Sequence, residues 1–371
     1  MKYDFLIVGA GLAGAVLAER IANSSNKKIL IIDKRNHIAG NVFDYFDDSD
    51  ILVHKYGPHI FHTSSKKVWD YLSQFTEWSH YEHRVVAMIN GKEVPVPFNL
   101  TSIEICFEKE KRDRLKQILI NKYGMESKIP ILKLRQSNNI EIQELAEFIY
   151  QNVFLGYNLK QWNLRPEELD FNVSSRVPVF VSYDDRYFQD TYQAMPKNGY
   201  TEFVNKMLNH QNIEVKLNCN FNEIKNEIEF DELIFTGTID SYFDYKFGKL
   251  PYRSLEFEFE NLNLEYFQSK AQVNYPNDND FTRITEFKHF YPNKTKNTII
   301  AREYSREFNI EVNEPYYPIP KSENAEIFEK YNKIAKEVEK VHFIGRLAEY
   351  KYYNMDQIVG VALQYFEKNF A

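Results

Sequence analysis

The chain has 371 residues, enough for one large core or two to three smaller ones. Its 46 Lys+Arg against 53 Asp+Glu leave a net charge of −7, which argues against a broad nucleic-acid footprint while leaving room for a local basic pocket. No apolar run approaches the ~20 residues of a membrane span, and the two cysteines, Cys106 and Cys219, fit a reduced compartment and offer no metal framework. With a strand following Met1 directly and no leader pattern before it, the expected setting is the cytoplasm, with neither nucleic-acid binding nor membrane insertion.

The first element is a strand, Lys2–Val8, carrying the apolar run Phe5-Leu6-Ile7-Val8. Gly9-Ala10-Gly11-Leu12-Ala13-Gly14 follows at once, then a helical pattern from Ala15 to Ala22. A second strand, Ile29–Ile32, ends in Asp33, nineteen residues past Gly14. In a dinucleotide site Gly9 permits the tight turn, Gly11 lets backbone approach a pyrophosphate, and Gly14 lets helix pack on strand. The helix N-terminus faces the anion, and the acid accepts from ribose hydroxyls. A bare glycine pattern is also compatible with a turn that merely joins strand to helix. Two flanking strands and the acid in register select the dinucleotide reading. Gly9, Gly11, Ala13, Gly14 and Asp33 are therefore candidate cofactor contacts. Lys34, Gly40 and Asn41 join them, because small residues and cations after the second strand suit a bound anion; Ala39 stands where many flavoproteins have glycine.

Next comes His54-Lys55-Tyr56-Gly57-Pro58-His59-Ile60-Phe61-His62-Thr63. Two histidines three apart lack a third ligand at metal spacing, so a ring-contacting loop is expected rather than a zinc site. Val85–Ile89 and Lys92–Pro97 around Asn90-Gly91 form a hairpin. Glu104–Tyr123 and Ile140–Leu155 read as amphipathic helices, with the Lys109–Lys116 charge run on a solvated face. The aromatic content is 16%, with 26 Tyr and 29 Phe. Gly156–Trp162, Arg176-Val177-Pro178 and Tyr183–Phe188 interleave aromatics with cations, which suits a base, a sugar and phosphates as well as it suits a helix end in the core. Gly199-Tyr200-Thr201 starts a helix ending near Asn209. Ile213–Leu217 and Leu233–Phe235 read as buried strands, and Thr236-Gly237 as a second approach to the cofactor. Alternating strands run from Tyr252 to about Arg302. Helix Ala325–Val338, strand Val341–Gly345 and a closing helix Met355–Phe366, with Asn354 as N-cap candidate, complete the chain.

Nine motifs together resemble the UDP-galactopyranose mutase family of prokaryotic type, which includes UDP-N-acetylgalactopyranose and dTDP-fucopyranose mutases. They are Gly9–Gly14, His37–Asn41, Lys55–Thr63, Gly156–Trp162, Asp184–Phe188, Tyr192–Pro196, Thr282–Glu286, Pro315–Pro318 and Gly345-Arg346-Leu347. The resemblance spans nearly the whole chain. It implies an α/β fold: an FAD-binding Rossmann-like domain (1–83, 190–245 and 330–371), an inserted helical subdomain with a mobile loop (100–180), and a mixed or antiparallel sheet domain (84–99 and 246–329). It implies FAD, active when reduced, and a mutase that interconverts pyranose and furanose forms, UDP-galactopyranose to UDP-galactofuranose, through a flavin N5–sugar adduct. An external reductant such as NAD(P)H and a homodimer are implied as partners.

The same resemblance carries over residue roles. Arg176 and Arg283 match the arginines that hold the diphosphate. Tyr187, Tyr317 and Tyr352 match phosphate-contacting tyrosines, and Tyr157 and Trp162 match aromatics of the uridine side. Phe154, Asn158, His83 and Asn274 fall at substrate-binding positions. His59 and Ile60 match positions against the isoalloxazine, with His59 also a catalytic candidate. Arg346, Tyr352 and the Met355-Asp356-Gln357-Ile358-Val359 helix start match the far side of the flavin, where a helix dipole favours anionic reduced flavin. Departures from the family pattern stand at Asn354 (aspartate), Leu155 (lysine), Asn163 (glycine) and His83 (asparagine). A flavin-dependent amine or carbonyl oxidase, and a flavin-binding protein without catalysis, share the fingerprint but need no phosphate clamp.

Overall fold

The computed structural model describes residues 2–170, 175–319 and 321–371. Met1, Pro320 and residues 171–174, the last inside the expected helical subdomain, lie outside the described residues. Five strands form a parallel sheet in the order Ile213–Lys216, Ile29–Ile32, Lys2–Val8, Glu229–Phe235 and Val341–Phe343. Side chains alternate across it. Phe5, Ile7, Ile29, Ile31 and Ile234 pack against the helices Leu12–Ser24, Gly199–Leu208 and Met355–Asn369. Leu6, Leu30, Ile32, Leu233 and Phe235 face Cys219 and Ile224 on the other side. The near-continuous apolar runs of the first two strands are what burial on both faces requires.

The 213–217 strand corrects the sequence reading. It is paired on one side only, and Glu214, Val215 and Lys216 are exposed. A charged, short strand is what a sheet edge tolerates; it is not a buried strand.

A seven-stranded sheet runs in the order Tyr317–Pro318, Tyr252–Leu262, Thr298–Glu307, Arg283–Glu286, Gln272–Asn274, Val85–Ile89 and Lys92–Val96. Its pairs are antiparallel except Gln272–Asn274 with Val85–Ile89, so the sheet is mixed. The Asn90-Gly91 hairpin has both central residues at positive φ, as a tight hairpin turn demands.

The helices between 100 and 162 pack on this hairpin, burying Val85, Val94 and Val96 against Leu115, Ile142 and Ile149. Two boundaries differ from the sequence reading. Glu104–Tyr123 is two helices, Leu100–Cys106 and Lys109–Tyr123, because Asn99 and Ser102 cap each other reciprocally and start the first early, and Phe107 is extended. The helix from Ile140 does not stop at Leu155. It widens into a π-turn over Tyr150–Leu155 and continues as Gly156–Trp162. Among the described residues no helix is long and apolar enough to cross a membrane.

Candidate functional site

The C-terminal ends of the central parallel strands converge on one crevice. Gly9 follows Val8, its N–H bonded to Ile32 O at 2.8 Å. Gly14 is obligatory: a Cβ there would lie 2.0 Å from Gly9 O, so helix and turn touch. Gly40 also approaches the turn closely, since its Cβ would fall 2.9 Å from Gly11 Cα. Thr236 Oγ1 donates to Val8 O at 2.8 Å, and Gly345 lies beside Thr236 and Ala13. Three strand ends and two glycine loops thus leave a trough of bare backbone, the place where doubly wound sheets take ligands. The Leu12–Ser24 helix opens onto it with no side-chain cap and no acid in its first turn, so its free N–H groups are available to an anion. The Gly199–Leu208 helix is different. Asp44 accepts from Tyr200 N at 2.6 Å and Thr201 N at 2.8 Å and fills that N-terminus.

Asp33 ties this trough together. One of its oxygens accepts from Ala10 N and the other from Arg35 N, both at 2.9 Å. Any ribose contact would use the lone pairs that remain. Lys34 is exposed and pairs with Glu314 at 2.8 Å. Arg35 lies 4.4 Å over the Tyr56 ring and donates to Asn41 Oδ1 at 3.0 Å. Ala39 adopts the left-handed φ of 71° that glycine supplies elsewhere.

His59 and Ile60 follow the Gly57 turn, where a Cβ would lie 2.9 Å from Phe257 of the large sheet. His59 Nδ1 donates to Gly57 O at 2.8 Å, leaving Nε2 as an acceptor. Its backbone N–H donates to His54 Nδ1 at 3.1 Å. Burial pushes the pKa of His59 down to about 3, with His54, Arg346 and Arg283 adding to the effect, so the ring is neutral at pH 7. Across from it, Arg346 donates to Tyr353 O at 2.6 Å and lies over the Tyr317 and Tyr352 rings at 5.3 and 5.4 Å. The Met355–Asn369 helix begins at Asn354, whose N–H bonds Gln357 Oε1 at 2.9 Å. Asp356 accepts from Thr63 Oγ1 at 3.0 Å.

Two sequence candidates are packed in the core. Val359 is wholly buried on the core face of that helix and lies beyond its first turn, so it offers no free N–H. Phe154 is packed into the helical core beside Tyr150 and Val153.

The remaining candidates gather around Arg283. Its Nε and Nη2 both reach Glu303 Oε2, at 2.8 and 2.7 Å, and Nη1 reaches Gln272 Oε1 at 3.4 Å. Burial opposes the charge on Arg283, but Glu303, with Tyr157 and Tyr317, more than offsets this and holds the guanidinium firmly ionised. Gln272 also donates to Asn274 Oδ1 at 3.0 Å. His83 is fully buried, and burial drives its pKa down to about 3, with Arg283 adding to the shift. Tyr187 is held beside it by its N–H to His83 O at 2.7 Å, and by ion pairs of Arg84 and Arg186 with Glu82, Asp184 and Asp185. Tyr317 and Tyr352 stack at 5.1 Å and 14°, and Trp162 closes on Tyr317 at 6.0 Å.

Arg176 joins the set through Tyr352, which stacks on Tyr317. It lies 4.1 Å over Tyr352 and donates to Asn354 Oδ1 at 2.5 Å. Tyr187 feels the charges of both Arg283 and Arg176. Two clefts, of about 530 and 930 Å³, meet at Arg176. Asn158 donates its amide to Phe154 O at 2.8 Å, one turn back along its own helix. Burial raises the hydroxyl pKa of Tyr157, Tyr187 and Tyr317, so all three remain O–H donors. The cluster of Arg283, Arg176, Tyr157, Tyr187 and Tyr317, with neutral His59 and His83 beside Arg283, therefore combines two guanidinium groups, three phenolic donors and uncharged rings, a set that suits an anionic, hydroxyl-rich ligand. Among the described residues no group of three His, Cys, Asp or Glu could hold a metal.

Glu303, Gln272 and His54 were not singled out from the sequence. Glu303 shares a strand face with Ile299 and Ala301, and an acid on an apolar face was the available signal.

Comparison with known proteins gives the same direction. Residues 152–352 match the UDP-galactopyranose mutase family model, and residues 7–75 match an NAD(P)-binding Rossmann-like domain. A probable UDP-galactopyranose mutase of Klebsiella pneumoniae is 36% identical over 97% of this chain and 93% of its own length. A dTDP-fucopyranose mutase of Escherichia coli is 35% identical over 97% and 96%. The fold superposes on a crystal structure of reduced UDP-galactopyranose mutase with TM-score 0.73 at 16% identity, covering 99% of this chain and 93% of that one. Putrescine oxidase shares the fold more loosely, at TM-score 0.58 and 10% identity. The chain belongs to the UDP-galactopyranose mutase family and is a nucleotide-sugar mutase of that family, built on a dinucleotide-binding Rossmann-like fold.

Proposed function

We propose that this chain binds FAD in the glycine-lined trough and isomerises UDP-galactopyranose to UDP-galactofuranose in the adjoining cleft. The observation that carries the reading is the pair of arginines, Arg283 and Arg176, both close enough to Tyr187 for their charges to act on its hydroxyl, with Arg176 also over the Tyr352 ring. The trough fits the cofactor: bare backbone at Gly11 and Gly40 admits a pyrophosphate, and the uncapped helix start meets its charge. A reduced flavin, once bound, supplies the nucleophile for the anomeric carbon; the protein's contribution is position and charge.

Arg283 and Arg176 grip the diphosphate as it leaves and hold it for return, stabilising charge that grows as the glycosidic bond breaks. Tyr187, Tyr317 and Tyr352 donate to the same oxygens. Tyr157 and Trp162 flank the base. Neutral His59, with Nε2 free to accept, orients groups at the cofactor's edge without adding charge. His83 and Asn274 line the floor beneath the sugar. Three units contribute these walls, divided as in the sequence reading. An external reductant such as NAD(P)H charges the cofactor, and the molecule works as a homodimer.

The second reading of the substrate is dTDP-fucopyranose, favoured by the 35% identity to the E. coli relative. The test is to load the protein with FAD, reduce it, and incubate it separately with UDP-galactopyranose, UDP-N-acetylgalactopyranose and dTDP-fucopyranose. Chromatography is expected to show a furanose product only from the reduced protein and without stoichiometric oxygen uptake. Oxygen consumption in step with turnover of an amine would replace the reading with an oxidase.

A further inference from the structure

Lys160 is the one charged residue of the helix Gly156–Trp162, where a lone lysine ordinarily points to solvent. The structure puts its ammonium elsewhere. Nζ donates to three backbone carbonyls, Tyr275 O at 2.6 Å, Asp278 O at 2.9 Å and Phe281 O at 3.3 Å. An ammonium has three protons, and here each finds an acceptor in a single loop. That loop joins Gln272–Asn274 to Arg283–Glu286, with Asn274 paired opposite Arg283. Phe281 is two residues before Arg283.

Two further contacts tie the same helix to the same sheet. A Cβ on Gly156 would lie 2.3 Å from Pro276 O and 2.5 Å from Asn277 Oδ1, so the helix backbone rests on the loop. Buried Arg253 donates to Gln161 O at 2.9 Å and to Ser305 Oγ at 2.9 Å, fixing the helix C-terminus to the neighbouring strands. Tyr157 precedes Lys160 by three residues and shares its face, and Tyr157 and Arg283 feel each other's fields.

We propose that Lys160 is a positioning residue for nucleotide binding: it sets the separation between the aromatic wall of the 156–162 helix and the Arg283 hairpin, so that one nucleoside diphosphate engages both. The inference rests on the functional reading above and adds to it the part that measures the ligand's length. A ligand that spans both walls gains from their fixed spacing as a two-site binder gains from a matched linker, whereas a ligand held by one wall does not. Burial lowers the pKa of Lys160, and the nearby Asp278 and Asp280 oppose this; both acids are on the loop that the ammonium holds.

The experiment compares UDP and dTDP with inorganic pyrophosphate on the FAD-loaded full chain, by titration and by competition. Lys160→Met is expected to weaken whichever nucleotide the wild type binds about tenfold. Pyrophosphate binding should change less than twofold, flavin content should hold, and KM should rise with kcat nearly constant. Gly156→Ala, which pushes the helix off the Pro276 carbonyl, should give the same selective loss and serves if Lys160→Met does not accumulate. Equal weakening of nucleotide and pyrophosphate, or no weakening, would overturn the positioning role alone. A wild-type protein that binds neither nucleotide would overturn the functional reading, and this inference with it.

Discussion

Removing Arg283 tests stability and catalysis at once, and the two effects can be separated. Its guanidinium makes two hydrogen bonds to Glu303, whose side chain is 2% exposed, and is itself 18% exposed. Arg283→Ala strands that carboxylate in a site built for a partner. Breaking a buried pair costs roughly 3–5 kcal/mol. The partial exposure of Arg283 lets water reach the site, so the lower end, about 3 kcal/mol, is expected. For a chain of this size that lowers the melting temperature by on the order of 5 °C. Arg283→Ala with Glu303→Gln removes the stranded charge and should recover about half the lost stability, with no recovery of turnover. Thermal melts of FAD-loaded protein and initial rates with reduced cofactor provide both readings. A single variant as stable as wild type would show that Glu303 does not depend on Arg283. Retained turnover in either variant would refute the phosphate role.

Arg176→Ala should cost turnover but little stability, because Arg176 is exposed and donates to the Asn354 side chain at the surface. Turnover should fall by two orders of magnitude or more, on the order of 3 kcal/mol of transition-state stabilisation, with stability changed by less than ~0.5 kcal/mol; kinetics and a melt decide. Ala39→Gly relieves a left-handed backbone at φ 71°, a strain of roughly 1–2 kcal/mol, against the extra freedom glycine gives the unfolded chain. A net gain of about 0.5 kcal/mol in a denaturant titration is expected, and a loss would show that the Ala39 methyl matters to packing. His54 and His59 both have pKa values pushed from 6.5 down to about 3, chiefly by burial. Folded-state pKa values below the unfolded ones mean full stabilisation above pH 6.5, lost as pH falls from there toward 3. The slope is up to about 1.4 kcal/mol per pH unit for each ring. His54→Phe should flatten the acid limb of a stability–pH profile, and an unchanged limb would place the acid sensitivity elsewhere.

The opening βαβ unit was readable because everything that makes it is local. Gly9, Gly11 and Gly14 stand within six residues, the apolar runs flank them, and Asp33 follows the second strand directly. The Asn90-Gly91 hairpin was readable for the same reason. Periodicity misjudged Ile213–Lys216, since an apolar alternation does not say whether a strand has one neighbour or two. It also placed no break at Phe107, where the backbone is extended between two helices that share one amphipathic pattern.

What the chain's order of residues determined by itself is the cofactor cradle, whose geometry is set by glycine conformations and strand ends close together along the backbone. What tertiary structure alone decided is which charges face each other. Glu303 meets Arg283 only through the antiparallel register of two strands, and Lys160 meets its three carbonyls only because a helix lands on a loop more than a hundred residues away. A charged side chain reads as solvated until its partner arrives from a distant segment, and in a long chain that partner is specified by packing rather than by proximity in sequence.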